Sequence, residues 1–150
     1  MFPEGTISRS FVPRAGKSGA ARMAMQSGAA LVPVAVWGTQ RILTKDRPKN
    51  FERKVAIDVH VGPPIAYERD EDPTTITTRL MASITELSDR AQRRYPQDPS
   101  SPEQAWWLPA HLGGSAPTVE EADLMAARDA RLRREKRIRE GRPAPDDRAQ

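Results

Sequence analysis

The 150-residue sequence contains no cysteine. That excludes disulfides, a thiol nucleophile and thiolate metal sites, and it fits a reducing cytoplasm. No apolar run approaches the ~18 residues of a membrane-spanning helix. Met1 opens directly onto Phe2, Pro3 and Glu4, with neither a basic leader nor a signal core. The chain therefore reads as neither exported nor membrane-spanning. Apolar residues are few as well, at 37% with a mean hydropathy of −0.68, so the compact part is expected to end well before the C-terminus.

Positive charge is in modest excess, 24 Lys and Arg against 20 Asp and Glu, and it is unevenly placed. Residues 1–60 carry 10 basic and 4 acidic side chains, residues 61–117 carry 5 and 8, and residues 118–150 carry 9 and 8. The surplus in the first sixty residues favours an anionic ligand or surface, without choosing among phosphate, nucleic acid and anionic lipid.

The pattern divides the chain into a globular part over 1–95, a Pro/Ser/Gly-rich connector over 96–117 and a charged helical arm with a tail over 118–150. Residues 16–27 read as a helix that Ser18 caps and Gly28 ends. Residues 30–37 form a near-continuous valine-rich run between glycines, which predicts a buried parallel strand with an edge or bulge at Pro33. Residues 54–61 alternate, with Val55, Ile57, Val59 and Val61 on one face and Ala56, Asp58 and His60 on the other, as in a half-buried strand. Asp72 and Pro73 open a helix whose Ile76, Leu80, Ile84, Leu87 and Ala91 share a face, and Pro96 marks its end.

In the connector, Trp106 and Trp107 suit either a bilayer interface or cover for the domain's own apolar surface. Thr118 and Glu121 match a capping box. The helix beyond it is sparsely apolar, with Asp129 spaced to pair with Arg133 and Glu135 with Arg139. Its basic run over 131–139 is interspersed with acids and reads as a solvated face. Residues 142–150 are expected to be disordered.

The first residues are the most informative. Met1 and Phe2 resemble the end of an apolar strand, followed at once by a Pro-Glu-Gly-Thr loop and a helix. In an open α/β sheet, ligands sit where such loops meet helix N-termini. Gly5 permits close backbone approach, Thr6, Ser8 and Ser10 offer hydroxyls, and Arg9, Arg14 and Lys17 offer charge. Together they make a candidate phosphate pocket.

Phe2-Pro3-Glu4-Gly5-Thr6 resembles the Phe-Pro-Glu-Gly-Thr block of the glycerolipid acyltransferase family, and Val32-Pro33-Val34 with Gly38 is similar to its later Val-Pro-Val block. The resemblance covers roughly residues 1–65. It implies an α/β fold with parallel-type strands and packed helices, here followed by the charged helix and disordered tail. It also implies acyl transfer from acyl-CoA or acyl carrier protein to 1-acylglycerol 3-phosphate, giving phosphatidic acid at the cytoplasmic face of the membrane. Neither a metal nor an organic cofactor is implied beyond the acyl donor, and nucleic acid is not an expected partner. Carried over residue by residue, the resemblance makes Glu4, Gly5, Thr6, Ser8, Arg9, Arg14 and Lys17 the acceptor-binding set, with Glu4 orienting the loop.

Two departures bear on chemistry. The family's arginine after Thr is Ile7 here, so Arg9 is the nearest candidate for its role. The family's catalytic block, His then four residues then Asp, has no counterpart: the fifth positions after His60 and His111 are Ile65 and Ala116. Deprotonating an attacking alcohol needs a base of near-neutral pKa held by a carboxylate. The chain alone is therefore expected to be inactive, and the family's first strand and His/Asp pair are expected to be encoded upstream of Met1. The reading from another class is a non-catalytic module that binds anionic lipid or nucleic acid through the same loop and arm.

Overall fold

The computed structural model describes residues 1–51 and 53–141. The expected disorder of 142–150 lies outside them. Five regular elements follow in order: α1 (Gly19–Ser27), β1 (Val34–Trp37), β2 (Asp58–Val61), α2 (Pro73–Arg94) and α3 (Val119–Arg139).

The two strands correct the parallel expectation. β1 and β2 pair antiparallel, with Val34 opposite Val61 and Trp37 opposite Asp58. Parallel strands need a crossover, usually a helix, whereas the described residues of 38–57 hold only a 3-10 turn over Thr39–Arg41, which returns the chain along the same edge. Pairing resumes beyond Pro33 through an isolated bridge between Leu31 and Ile65. Pro33 thus interrupts the ladder, as its missing N–H requires. Met1 and Phe2, expected to end a strand, are exposed and belong to none.

Alternation of burial holds over 56–61, but the strand is shorter than expected, Asp58–Val61, and its orientation is the reverse of that expected. Val59 is 55% and Val61 65% exposed, and Val34 and Val36 opposite them are likewise open, so residues 30–37 are only half buried. The inward face carries Ala35, Trp37, Asp58 and His60. Two polar groups are tolerable there because His60 Nε2 lies 2.8 Å from Asp58 Oδ2, each satisfying the other.

Packing against the inner face is done by α2, whose Asp72 side chain accepts from the Thr75 N–H at 3.1 Å and whose Pro73 occupies the first turn. Ile76, Leu80, Leu87 and Ala91 are buried along its stripe, with Ile84 partly so. At its C-terminal end Tyr95 and the segment 96–117 complete the core. Trp37, Ala91 and Trp107 form its centre, with Phe11, Tyr95, Trp106 and Leu108 packed around them. Tyr95 stands edge-on between Trp37 and Trp107, at centroid distances of 6.4 and 5.6 Å. Trp107 therefore covers the domain's own apolar surface, and Trp106 lies under the Arg47 guanidinium, 4.2 Å from its centroid.

Gly38 shows why a glycine follows β1. Its φ is +99°, and a Cβ there would lie 2.1 Å from the Ala56 carbonyl oxygen, so backbone from β2's lead-in passes where a side chain would stand.

Trp107→Ala is expected to destabilise the chain by about 3–5 kcal/mol, the usual cost of emptying a large aromatic site, whereas Trp106→Ala should cost about 1 kcal/mol or less. Urea denaturation of the two variants measures this. Equal, near-zero effects would return 96–117 to the status of a passive connector.

Candidate functional site

The loop over residues 3–17 lies on α2 and is closed by its own backbone. Lys17 N–H donates to the Pro3 carbonyl at 2.9 Å, and Gly5 N–H to that of Phe2 at 3.2 Å. Glu4 Oε2 accepts from the Arg14 backbone N–H at 2.9 Å. Gln92 of α2 donates to the Phe11 carbonyl at 2.8 Å. A Cβ on Gly16 would lie 2.7 Å from Met81 Sδ, so the absence of a side chain lets the loop settle directly on the helix. That contact also corrects the start of the first helix. Helical geometry begins at Gly19 and not at 16, and Ser18 makes no side-chain cap; its Oγ accepts from Arg22 instead, at 3.1 Å.

The seven residues expected to bind the acceptor fall into two groups. At the loop tip, Gly5 takes a φ of +64°, and the Lys17 stem passes over it with Cε 3.7 Å from where a Cβ would stand. Thr6 Oγ1 accepts from Lys45 Nζ at 2.8 Å. Glu4 lies behind the tip, facing inward. Farther along, Ser8 Oγ and Ser10 Oγ share a hydrogen bond of 2.9 Å. Arg9 spans two carboxylates, Nε to Asp46 at 2.5 Å and Nη2 to Asp129 at 2.9 Å, with its side chain only 11% exposed. Arg14 Nη2 meets Asp123 at 2.6 Å. Of the three expected cations, Lys17 is the one with no carboxylate against it among the described residues.

Three participants escaped the sequence reading. Lys45 follows the 3-10 turn, and burial, with the like charges of Arg9 and Arg133, pushes its ammonium pKa below the ordinary value. Asp46 sits beside it, its carboxyl held low by the hydrogen bond from Arg9. The third is α3. Its capping box forms as the sequence predicts, Thr118 Oγ1 accepting from Glu121 N–H and Glu121 from Thr118 N–H. Its ion pairs do not follow the predicted spacing. Asp129 turns to Arg9 while Arg133 donates to the Asp129 backbone carbonyl at 3.3 Å, and Glu135 faces Arg131 at 3.7 Å. A crevice of about 360 Å³ separates the loop from the start of α3, lined by Ser10, Val12, His111 and Thr118 among others.

Chemically, the loop tip offers two ammonium groups, a hydroxyl and a glycine turn facing outward, the elements of a site for a small oxyanion. His60 and Asp58 form a His–carboxylate pair, but on β2, and among the described residues no hydrogen bond or ion pair joins it to the loop. No group of His, Asp and Glu is placed to hold a metal among the described residues, and no described helix is long and apolar enough to cross a membrane.

Residues 1–37 match the family model described as Acyltransferase. The match takes in the whole loop, α1 and β1, and supports an acyltransferase by family. No curated protein and no solved structure matches the chain significantly.

Burial pushes the Glu4 carboxyl above its ordinary value, opposed by the Arg14 N–H and the Arg14 charge. Folded Glu4 thus keeps its proton to higher pH than the unfolded chain does. Its contribution favours folding below the ordinary value of about 4.5 and is lost as pH rises through the raised one. Glu4→Gln keeps an acceptor for the Arg14 N–H and removes that loss, so its stability relative to wild type should increase with pH across this window. Glu4→Ala, which also removes the titrating group, should lie about 1 kcal/mol below Glu4→Gln throughout, for the unpaired N–H. Denaturation midpoints at a series of pH values measure both, and a pH-independent difference for Glu4→Gln would contradict the assignment.

Proposed function

We propose that this chain carries the acceptor-phosphate portion of a 1-acylglycerol-3-phosphate O-acyltransferase, acting at the cytoplasmic membrane face with acyl-CoA or acyl carrier protein as donor. The observation that supports this most is the loop tip inside the Acyltransferase match. Gly5 and Thr6 are presented between Lys17 and Lys45, with Glu4 turned inward to fix the loop. A phosphate monoester carries about −1.5 to −2 charge and three acceptor oxygens, which such a tip neutralises without a metal.

In the reaction, the free hydroxyl of the acceptor attacks the thioester carbonyl and gives up its proton to a base. The carbon–sulfur bond breaks, and the departing sulfur takes a proton to leave as a thiol. The loop's part is to hold the phosphate so that the hydroxyl reaches the carbonyl. A base in the family's His-then-Asp arrangement is not among these 150 residues, so a longer polypeptide or a partner supplies it in this reading.

Accordingly, the purified chain is expected to show no acyl transfer to lysophosphatidic acid above background. In a polypeptide that includes the His/Asp block, Lys17→Ala should lower acceptor kcat/KM roughly ten- to a hundredfold, one charge-assisted hydrogen bond being worth about 1.5–3 kcal/mol. The donor KM should be unchanged, and Lys17→Arg should be tolerated. Turnover by the isolated chain that disappears in Glu4→Ala would contradict the division of labour. Salt-sensitive binding to any polyanion, without preference for lysophosphatidic acid, would favour the non-catalytic module.

A further inference from the structure

Arg9 and Arg14 are the loop's two guanidinium groups, and both are paired with carboxylates. Arg9 is largely covered, its side chain 11% exposed, with Nε paired to Asp46 and Nη2 to Asp129. Arg14 is held by Asp123 at 2.6 Å. Two of these three carboxylates belong to α3. The apolar contact of α3 is slight: Ala122 is its one buried residue among those described, Ala126 is partly covered, and Leu124, Leu132 and Ile138 are exposed. The helix is therefore held to the loop chiefly through its acids.

We propose that α3 is an internal competitor for the loop's guanidinium groups. Asp129 stands where an oxygen of a phosphate monoester would bind Arg9, Asp123 tethers the same helix to Arg14, and the arriving phosphate displaces the helix. The inference rests on the reading of the loop as a phosphate site and adds a consequence to it: Nη2 of Arg9 is freed for a ligand only when Asp129 leaves. The exchange is near balance in charge, the phosphate bringing about two negative charges to the loop as the two carboxylates of α3 pass into water. Apparent affinity is then reduced by the fraction of molecules in which α3 is undocked.

Hydrogen exchange of residues 119–130, followed in the whole chain during titration with glycerol 3-phosphate, tests the proposal. Glycerol and potassium chloride at matched ionic strength serve as controls. Exchange should accelerate about tenfold and saturate together with binding. The double variant Asp123→Asn, Asp129→Asn should exchange fast without ligand and bind glycerol 3-phosphate about tenfold more tightly. If it does not fold, Asp123→Asn alone, at a half-exposed carboxylate, should still tighten binding about threefold. Phosphatidylcholine vesicles with and without lysophosphatidic acid separate the two sources of phosphate. A response to the soluble ester means the headgroup alone displaces α3, and a response confined to the lipid means that displacement needs a surface-bound phosphate.

Three results overturn the proposal. Saturable, Arg9-dependent binding with unchanged exchange in α3 removes the competition and leaves the phosphate site standing. Equal acceleration by potassium chloride reduces the effect to screening. Absence of saturable binding to either source, in wild type and variants alike, removes the phosphate site and the competition together.

Discussion

A guanidinium that is almost covered must keep its charge neutralised, because an unpaired buried cation costs several kcal/mol. Arg9 meets that constraint by drawing together three stretches of chain distant in sequence: its own loop, the segment bearing Asp46, and α3 through Asp129. The placement of Lys45 follows from it, since the residue beside Asp46 is brought over Thr6. So does the docking of α3, which buries too little apolar surface to hold itself in place. The placement of Lys45 and the docking of α3 thus both depend on one side chain.

The loop tip is positioned differently, by backbone bonds and by α2. Pro3, Glu4 and Lys17 close the loop on itself, Gly16 lets it lie against Met81, and Gln92 holds Phe11. Phe11 in turn stands edge-on to Trp37 at 6.0 Å, so the tip is braced by the same aromatic core that Trp107 seals. Gly5, Thr6 and Lys17 are thus in place before an anion arrives, and what a phosphate must still free is the guanidinium that α3 holds.

Local signals in the sequence were readable where one residue type answers one local need. Asp72 with Pro73 opens α2, Thr118 with Glu121 caps α3, and the Glu-Gly-Thr block makes the turn that its glycine permits. What stayed hidden depends on partners far away in sequence. The alternation of Val59 and Val61 carries no sign for which face meets α2, and Trp37 and Ala35 decided that. The parallel expectation for residues 30–37 assumed a neighbour that these residues do not contain, whereas β2 lies alongside β1. Ser18 lost its capping role to Arg22, and α1 began only where the chain left its contact with Met81. Arg9 was identified as a cation of the site, but the carboxylates that occupy it lie 37 and 120 residues away, beyond any local pattern.

The central claim is that the loop over residues 3–17 is a binding site for a phosphate monoester. Amide chemical shifts of the isotopically labelled chain, followed during titration with glycerol 3-phosphate, test it most directly. The account predicts saturable shifts centred on Gly5, Thr6 and Lys17, absent with glycerol and lost in Lys17→Ala. Shifts confined to the basic run over 131–139, or growing without saturation across the whole surface, would contradict it.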